Sequence, residues 1–166
     1  LHERFDAMLQ LVDSTISGVR RAATRLRPPL LDSMGVAAAI DWQAKEFAEQ
    51  GEMALVRDIE HDLVVSDEAS TALFRVTQEA LTNIGRHAEA TRVTVRLYDD
   101  HGDTVLEVED NGKGLDGGAG DPRSSGLINM RERAAALGGT VEIGPPPSGT
   151  GTRVTFRVPA EGEDRT

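Results

Sequence analysis

The chain has 166 residues, 39% of them hydrophobic, with 17 glycines and no cysteine. That is an ordinary composition for one globular domain with its own core. It excludes disulfide frameworks, thiolate metal sites and cysteine nucleophiles, and it fits a reducing compartment. Eighteen basic against 28 acidic residues leave a formal charge of −10, a poor electrostatic match for nucleic acid or an anionic membrane. No apolar run approaches the ~20 residues of a membrane span, and no secretory signal is visible.

The first segment is periodic. Phe5, Leu9, Val12, Ile16, Val19, Ala23 and Leu26 recur at alternating spacings of four and three, the seam of a helix packed along a partner helix. A helix docked on its own domain is the alternative. Pro28-Pro29 stops this helix. Asp32-Ser33 offers a cap for a second helix over about 35–50, with Val36, Ala39, Ile40, Ala44 and Phe47 as its buried face. Residues 53–59 alternate as a half-exposed strand. Ser66 or Asp67 caps a long helix through about His87, with Leu73, Val76, Ala80 and Ile84 on its stripe. Residues 92–98 and 104–109 alternate as strands, and Asp99-Asp100-His101-Gly102 reads as the turn between them. Residues 110–126 hold six glycines and read as a mobile loop. A helix over about 127–137 ends at Gly138-Gly139. Strands over 141–143 and 153–158 close the domain, and a solvated tail follows. Strands that pair side by side among helices suggest a two-layer α/β sandwich, not alternating βαβ units.

Four local patterns carry possible chemistry. Glu79, Asn83, Arg86 and His87 lie at offsets of four, seven and eight, near one helix face. A carboxylate and an amide oxygen one turn apart suit a hard cation such as magnesium, which keeps waters and substrate phosphates in its shell. Arg86 or His87 could then meet phosphate oxygens. Asp110 in Asp110-Asn111-Gly112-Lys113-Gly114 follows a strand; it could accept from an exocyclic amine while Gly112 and Gly114 let backbone approach a ligand. Ser125-Gly126-Leu127 opens a helix, where backbone N–H groups attract phosphate. Gly149-Thr150-Gly151-Thr152 leads into the last strand. Taken singly, these are a solvated helix face, an Asp-Asn-Gly turn, a glycine cap and a hairpin turn. Residues 112–117 also fit G-x-G-x-x-G, but no helix opens there, which argues against a dinucleotide fingerprint. His2-Glu3 could be a phosphoacceptor with an acidic neighbour, although a solvated terminus is the plainer reading.

In this order the four patterns resemble the GHKL ATPases, the superfamily of gyrase-type ATPases, Hsp-ninety-type chaperones and sensor histidine kinase catalytic domains. The segment 78–88, Gln-Glu-Ala-Leu-Thr-Asn-Ile-Gly-Arg-His-Ala, is similar to the asparagine box of nitrate/nitrite-sensor-like histidine kinases. Leu26-Arg27-Pro28-Pro29-Leu30-Leu31-Asp32 is similar to their linker, and Gly126-Leu127-Ile128-Asn129-Met130-Arg131-Glu132-Arg133 to their second glycine box. The resemblance implies an ATP-binding sandwich of the Bergerat type over residues 30–160, after the second helix of a dimerisation hairpin in 1–29 and before a tail in 161–166. It implies ATP and Mg2+ as cofactors, with Asn83 as magnesium ligand and Glu79 as the catalytic residue that polarises the nucleophile or helps organise the metal. Arg86 and His87 lie on the phosphate side by this carry-over. Asp110 meets the adenine amino group beside Gly112 and Gly114, Ser125, Gly126 and Leu127 border the phosphates, and Thr152 supports the adenine end. The implied activity is transfer of the γ-phosphate of ATP to a histidine, then to an aspartate of a response regulator. His2 stands too close to Leu26-Arg27-Pro28 to match the acceptor, so the expected acceptor lies on a helix outside this sequence. The implied setting is cytoplasmic, in a full-length protein that forms a homodimer and can be membrane-anchored, with no nucleic-acid contact and no direct membrane contact from this stretch. A nucleotide-binding interaction module of the same fold, similar to anti-sigma factors, is the rival reading.

Overall fold

The computed structural model describes residues 7, 8, 10–12, 14, 15, 28–114 and 125–159. The described residues among 7–15 are helical, and Met8, Leu11 and Val12 are exposed there. The rest of the expected heptad seam, the tail from residue 160 and the stretch 115–124 lie outside the described residues.

Helix α1 spans Pro29–Gln50, with Pro29 at its first position, where a missing N–H costs nothing. It is broken at Gly35, whose φ of 79° and ψ of 168° only glycine adopts readily. The expected start near residue 35 is therefore this break. Asp32 and Ser33 are not a cap but part of a preceding helical piece, which buries Leu31 in the core. Beyond the break Val36, Ala39, Ile40 and Ala44 are buried as their spacing requires, and Phe47 is half-buried.

Strand β1 (Ala54–Ile59) leads to helix α2 (Asp67–Asn83). Ser66 caps α2, its side chain accepting from the Ala69 N–H at 3.1 Å. The helix does not run on to His87 as an α-helix. It widens into a π-helical turn over Ile84–Ala88, which Glu89 ends at a φ of 50°. Strands β2 (Arg92–Asp100) and β3 (Asp103–Asp110) form a hairpin. Its turn is two residues, not four: His101 and Gly102 both have positive φ, and Asp99 and Asp100 remain paired in β2. Helix α3 (Ser125–Ala136) ends in a Schellman motif, with Gly138 N–H donating to Ala135 C=O and Gly139 N–H to Ala134 C=O. Strands β4 (Thr140–Gly144) and β5 (Arg153–Val158) complete the sheet.

The sheet order is β1-β2-β3-β5-β4. All neighbours are antiparallel except β1 and β2, which pair in parallel across α2. The sandwich therefore does contain one βαβ unit, because the segment carrying α2 is long enough to cross over. Val93, Val95, Leu97, Leu106, Val108, Val154 and Phe156 form the inner face of the sheet and pack with the helices' buried stripes as one core. The opposite face is a charged ladder: Arg153 bonds Glu109, Arg96 pairs with Glu107, and Arg157 bridges Asp100 and Asp103.

Candidate functional site

Between α2, the start of α3 and the inner ends of β3 and β5 lies a cavity of about 480 Å³, counting its open mouth. Ala80, Ile84, Val108, Ile143 and Val154 give it apolar walls, and Asn83, Asp110, Gly114, Leu127 and Thr152 join them. An apolar slot with few polar groups suits a flat heterocycle whose edge must be read by hydrogen bonds.

Asp110 is the polar anchor. It is the last residue of β3 and only 3% exposed. Its carboxylate accepts from the Gly112 N–H at 2.7 Å, while its own N–H donates to the Thr152 carbonyl at 2.9 Å. Burial pushes the carboxyl above its ordinary value; backbone N–H groups of Gly112 and Thr152 oppose the shift, and Glu109 adds to it.

The glycines around Asp110 are there for close approach. A Cβ on Gly112 would overlap the Ala88 carbonyl, and one on Gly151 would overlap that of Asp110. Lys113 N–H donates to the Ala88 carbonyl at 2.9 Å, and its ammonium meets Glu89 at 3.0 Å. Residues 110–114 are thus packed, not part of a mobile loop as composition suggested. The sequence pointed to glycine's freedom but not to the partner strand and π-turn that use it.

At the other end, Asn83 is half-buried at the end of α2. Glu79, one turn earlier, packs against Gly126 so closely that a Cβ there would overlap its Oε1. Gly126 and Leu127 are buried in the first turn of α3, and Ser125 is its exposed first residue. Arg86 and His87 are exposed on the π-turn and do not line the cavity.

Two residues beside the site carry no role in the sequence reading. Asn111 sits inside the Asp110–Gly114 motif, where its side chain binds β2. Arg133 on α3 is half-buried with Glu79 as its attractive neighbour and Arg75 as a repulsive one, and burial lowers its pKa first. Its helical offset of seven from Gly126 was the available signal.

The family model for histidine kinase-, DNA gyrase B-, and HSP90-like ATPases matches residues 68–162, the stretch holding α2, the hairpin, α3 and the last two strands. The chain belongs to that ATPase family. Its family implies ATP as the bound nucleotide, and the cradle fits one: a buried acceptor at an apolar slot, with close-packed glycine backbone beside it. Sensor histidine kinase MctS of Rhizobium johnstonii is 36% identical over 93% of this chain and 34% of its own length. Sensor protein VraS of Staphylococcus aureus is 32% identical over 99% of this chain and 47% of its own length. This ATPase-family chain thus spans half or less of the curated relatives it matches. Among solved structures, Acinetobacter baumannii histidine kinase AdeS superposes with a TM-score of 0.65 at 16% identity, covering 95% of this chain and 84% of that one. The ATP binding domain of PrrB from Mycobacterium tuberculosis gives 0.58 at 22% identity, over 76% and 95% of the two chains. These likenesses establish the shared two-layer α/β fold.

Proposed function

We propose that this chain is the catalytic ATP-binding region of a two-component sensor histidine kinase of the nitrate/nitrite-sensor-like kind, and that it binds Mg-ATP in the cavity anchored by Asp110. The buried Asp110 carboxylate at the end of an apolar slot carries this reading. Ionised, it accepts a hydrogen bond from an exocyclic amine, which adenine offers at that edge and guanine does not. Backbone at Gly112 and Gly114 forms the adjoining wall, and Thr152 supports that end.

Asn83 and Glu79 point to the phosphate end. Among the described residues no group of three His, Asp or Glu side chains could form a metal cage. Magnesium does not need one, since it is held by one or two protein oxygens together with waters and phosphates. The Asn83 carboxamide fits that role, with Glu79 one turn away; when bound, the cation neutralises phosphate charge. Ser125, Gly126 and Leu127 at the start of α3 offer N–H groups to phosphate oxygens. Arg86 and His87 stand exposed beyond the mouth, able to meet the phosphates only from outside the slot.

The reaction is in-line transfer: a histidine ring nitrogen of a phosphoacceptor helix bonds to the γ-phosphorus, the bond to the β,γ-bridging oxygen breaks, and ADP leaves. The protein contributes position and charge neutralisation, and Glu79 orients the incoming imidazole through its N–H. The phosphoryl group passes on to a response-regulator aspartate. Residues 1–29 belong to a dimerisation hairpin in this reading, residues 30–160 to the catalytic domain.

The test is a calorimetric ATP titration with and without magnesium on the parent and Asp110→Asn, followed by labelled phosphate transfer to a histidine-bearing helical hairpin supplied separately. Magnesium-dependent binding lost in the variant, with label on histidine, is expected. No binding by folded parent protein overturns the reading. Binding without transfer instead favours the anti-sigma-like interaction module.

A further inference from the structure

Past Asp110 the pairing of β3 with β2 ends, because Val93 opposite Asp110 is its last registered pair. The side chain of Asn111 takes over from the backbone. Its Oδ1 accepts from the N–H groups of Thr91 at 3.0 Å and Arg92 at 2.9 Å, and its Nδ2 donates to Thr91 Oγ1 at 3.0 Å. Its own N–H reaches the Arg92 carbonyl at 3.3 Å. One amide side chain thus makes three bonds to two consecutive residues ahead of the hairpin, and its backbone adds a fourth.

Those bonds fix one end of a short turn. The other end is held where Lys113 N–H meets the Ala88 carbonyl at 2.9 Å. Between the two lies Gly112, whose N–H holds the Asp110 carboxylate at 2.7 Å. The direction in which that carboxylate faces the cavity depends on where Gly112 N–H stands, and Gly112 is clamped from both sides. Of the two clamps, only the one at Asn111 is made by a side chain and can be removed by substitution.

We propose that Asn111 is a positioning residue for base selection: it locks the Asp110–Gly112 turn onto β2 and so sets the angle at which Asp110 reads the base edge. The proposal rests on the base-reading role given to Asp110. The Asn111 side chain is committed to Thr91 and Arg92. Its effect therefore falls on discrimination between bases, since a turned carboxylate is a poorer acceptor for one particular amine while the apolar slot still takes any flat ring.

Asn111→Asp and Asn111→Ala separate this from a plain stability effect. Aspartate keeps both acceptor bonds, and the Thr91 hydroxyl can rotate to donate to it; alanine keeps neither. ATP and GTP affinities are measured by calorimetry with magnesium, alongside amide hydrogen exchange at Thr91 and Arg92. For Asn111→Ala we expect ATP affinity to fall about tenfold, the worth of one well-placed hydrogen bond, and the preference for ATP over GTP to shrink with it. Asn111→Asp should stay within about threefold of the parent on the same scale. The exchange of both amides should quicken in the alanine variant alone. An alanine variant that is less heat-stable yet keeps the parent's ATP-to-GTP ratio overturns the proposal. A parent that binds no nucleotide, with exchange still quickened in Asn111→Ala, would show the clamp to be real and the nucleotide reading to be wrong, so the two failures are distinguishable.

Discussion

The Asp110 carboxyl is held above its ordinary pKa chiefly by burial. A raised folded-state value means that the ionised form is disfavoured by folding. The cost is absent below the unfolded-state value, grows as pH rises towards the folded-state value, and is constant above it. Asp110→Asn removes that titration. The variant's melting temperature relative to the parent should therefore be higher at neutral pH than in the acid range, and a pH-independent difference would sink the argument. ATP affinity should move the opposite way. Protonation leaves a weaker acceptor, so parent affinity falls as pH is lowered, at a higher pH than an ordinary aspartate would require. At the other end of the cavity, Gly126→Ala places a methyl group where Glu79 Oε1 lies. The obstacle is the tip of a flexible side chain, so the fold is expected to survive while Glu79 is displaced. Phosphate transfer should drop at least tenfold, as removal of a positioned catalytic group does, with ATP affinity little changed. A variant that transfers at the parent's rate would show that the Glu79 position is irrelevant.

Elements were legible where the signal is local. Ser66 capping α2, the Leu73, Val76, Ala80 and Ile84 stripe, and Gly138-Gly139 closing α3 are set by residues within a turn of one another, and the structure has each of them. What was not legible depends on distant partners. The parallel pairing of β1 with β2 depends on how α2 crosses over, which no alternation pattern encodes. The π-turn after Asn83 is fixed by Lys113 and Gly112 closing on the Ala88 carbonyl, some two dozen residues on in sequence. Arg86 and His87 on this turn are exposed and stand outside the cavity lining. The break in α1 is half legible: Gly35 reads as a boundary, but nothing local in the Leu30-Leu31 pair before it marks a helical piece reaching the core. Two substitutions weigh these local devices. Ser66→Ala removes a side-chain cap and should cost about 1 kcal/mol in urea unfolding. Gly35→Ala forces a Cβ into a conformation reserved for glycine and should cost roughly 1–3 kcal/mol, although nothing lies near enough to clash. Equal stability of Gly35→Ala and parent would mean that the break straightens without penalty.

At the scale of the whole molecule, the two exposed surfaces differ in kind. The outer sheet face carries its charges in opposed pairs, with Arg153 against Glu109 and Arg157 between Asp100 and Asp103. Such pairs contribute little stability at a surface, but they make this face largely polar, with Val56 of β1 exposed beside them. The helical residues near the N-terminus do the reverse. Met8, Leu11 and Val12 are 57%, 66% and 48% exposed, and Val12 belongs to the heptad seam that runs from Phe5 to Leu26. A stripe of that regularity is stabilised by burial against another helix. If the seam is part of a dimerisation hairpin, association is carried by it and nucleotide binding by the cavity, with no shared residue. Val12→Glu should then shift sedimentation towards the monomer by placing a charge in the seam, and should leave the calorimetric ATP titration unchanged. Self-association that survives Val12→Glu would mean that the seam is not the interface; loss of ATP binding in the same variant would mean that the helix and the nucleotide domain are one cooperative unit.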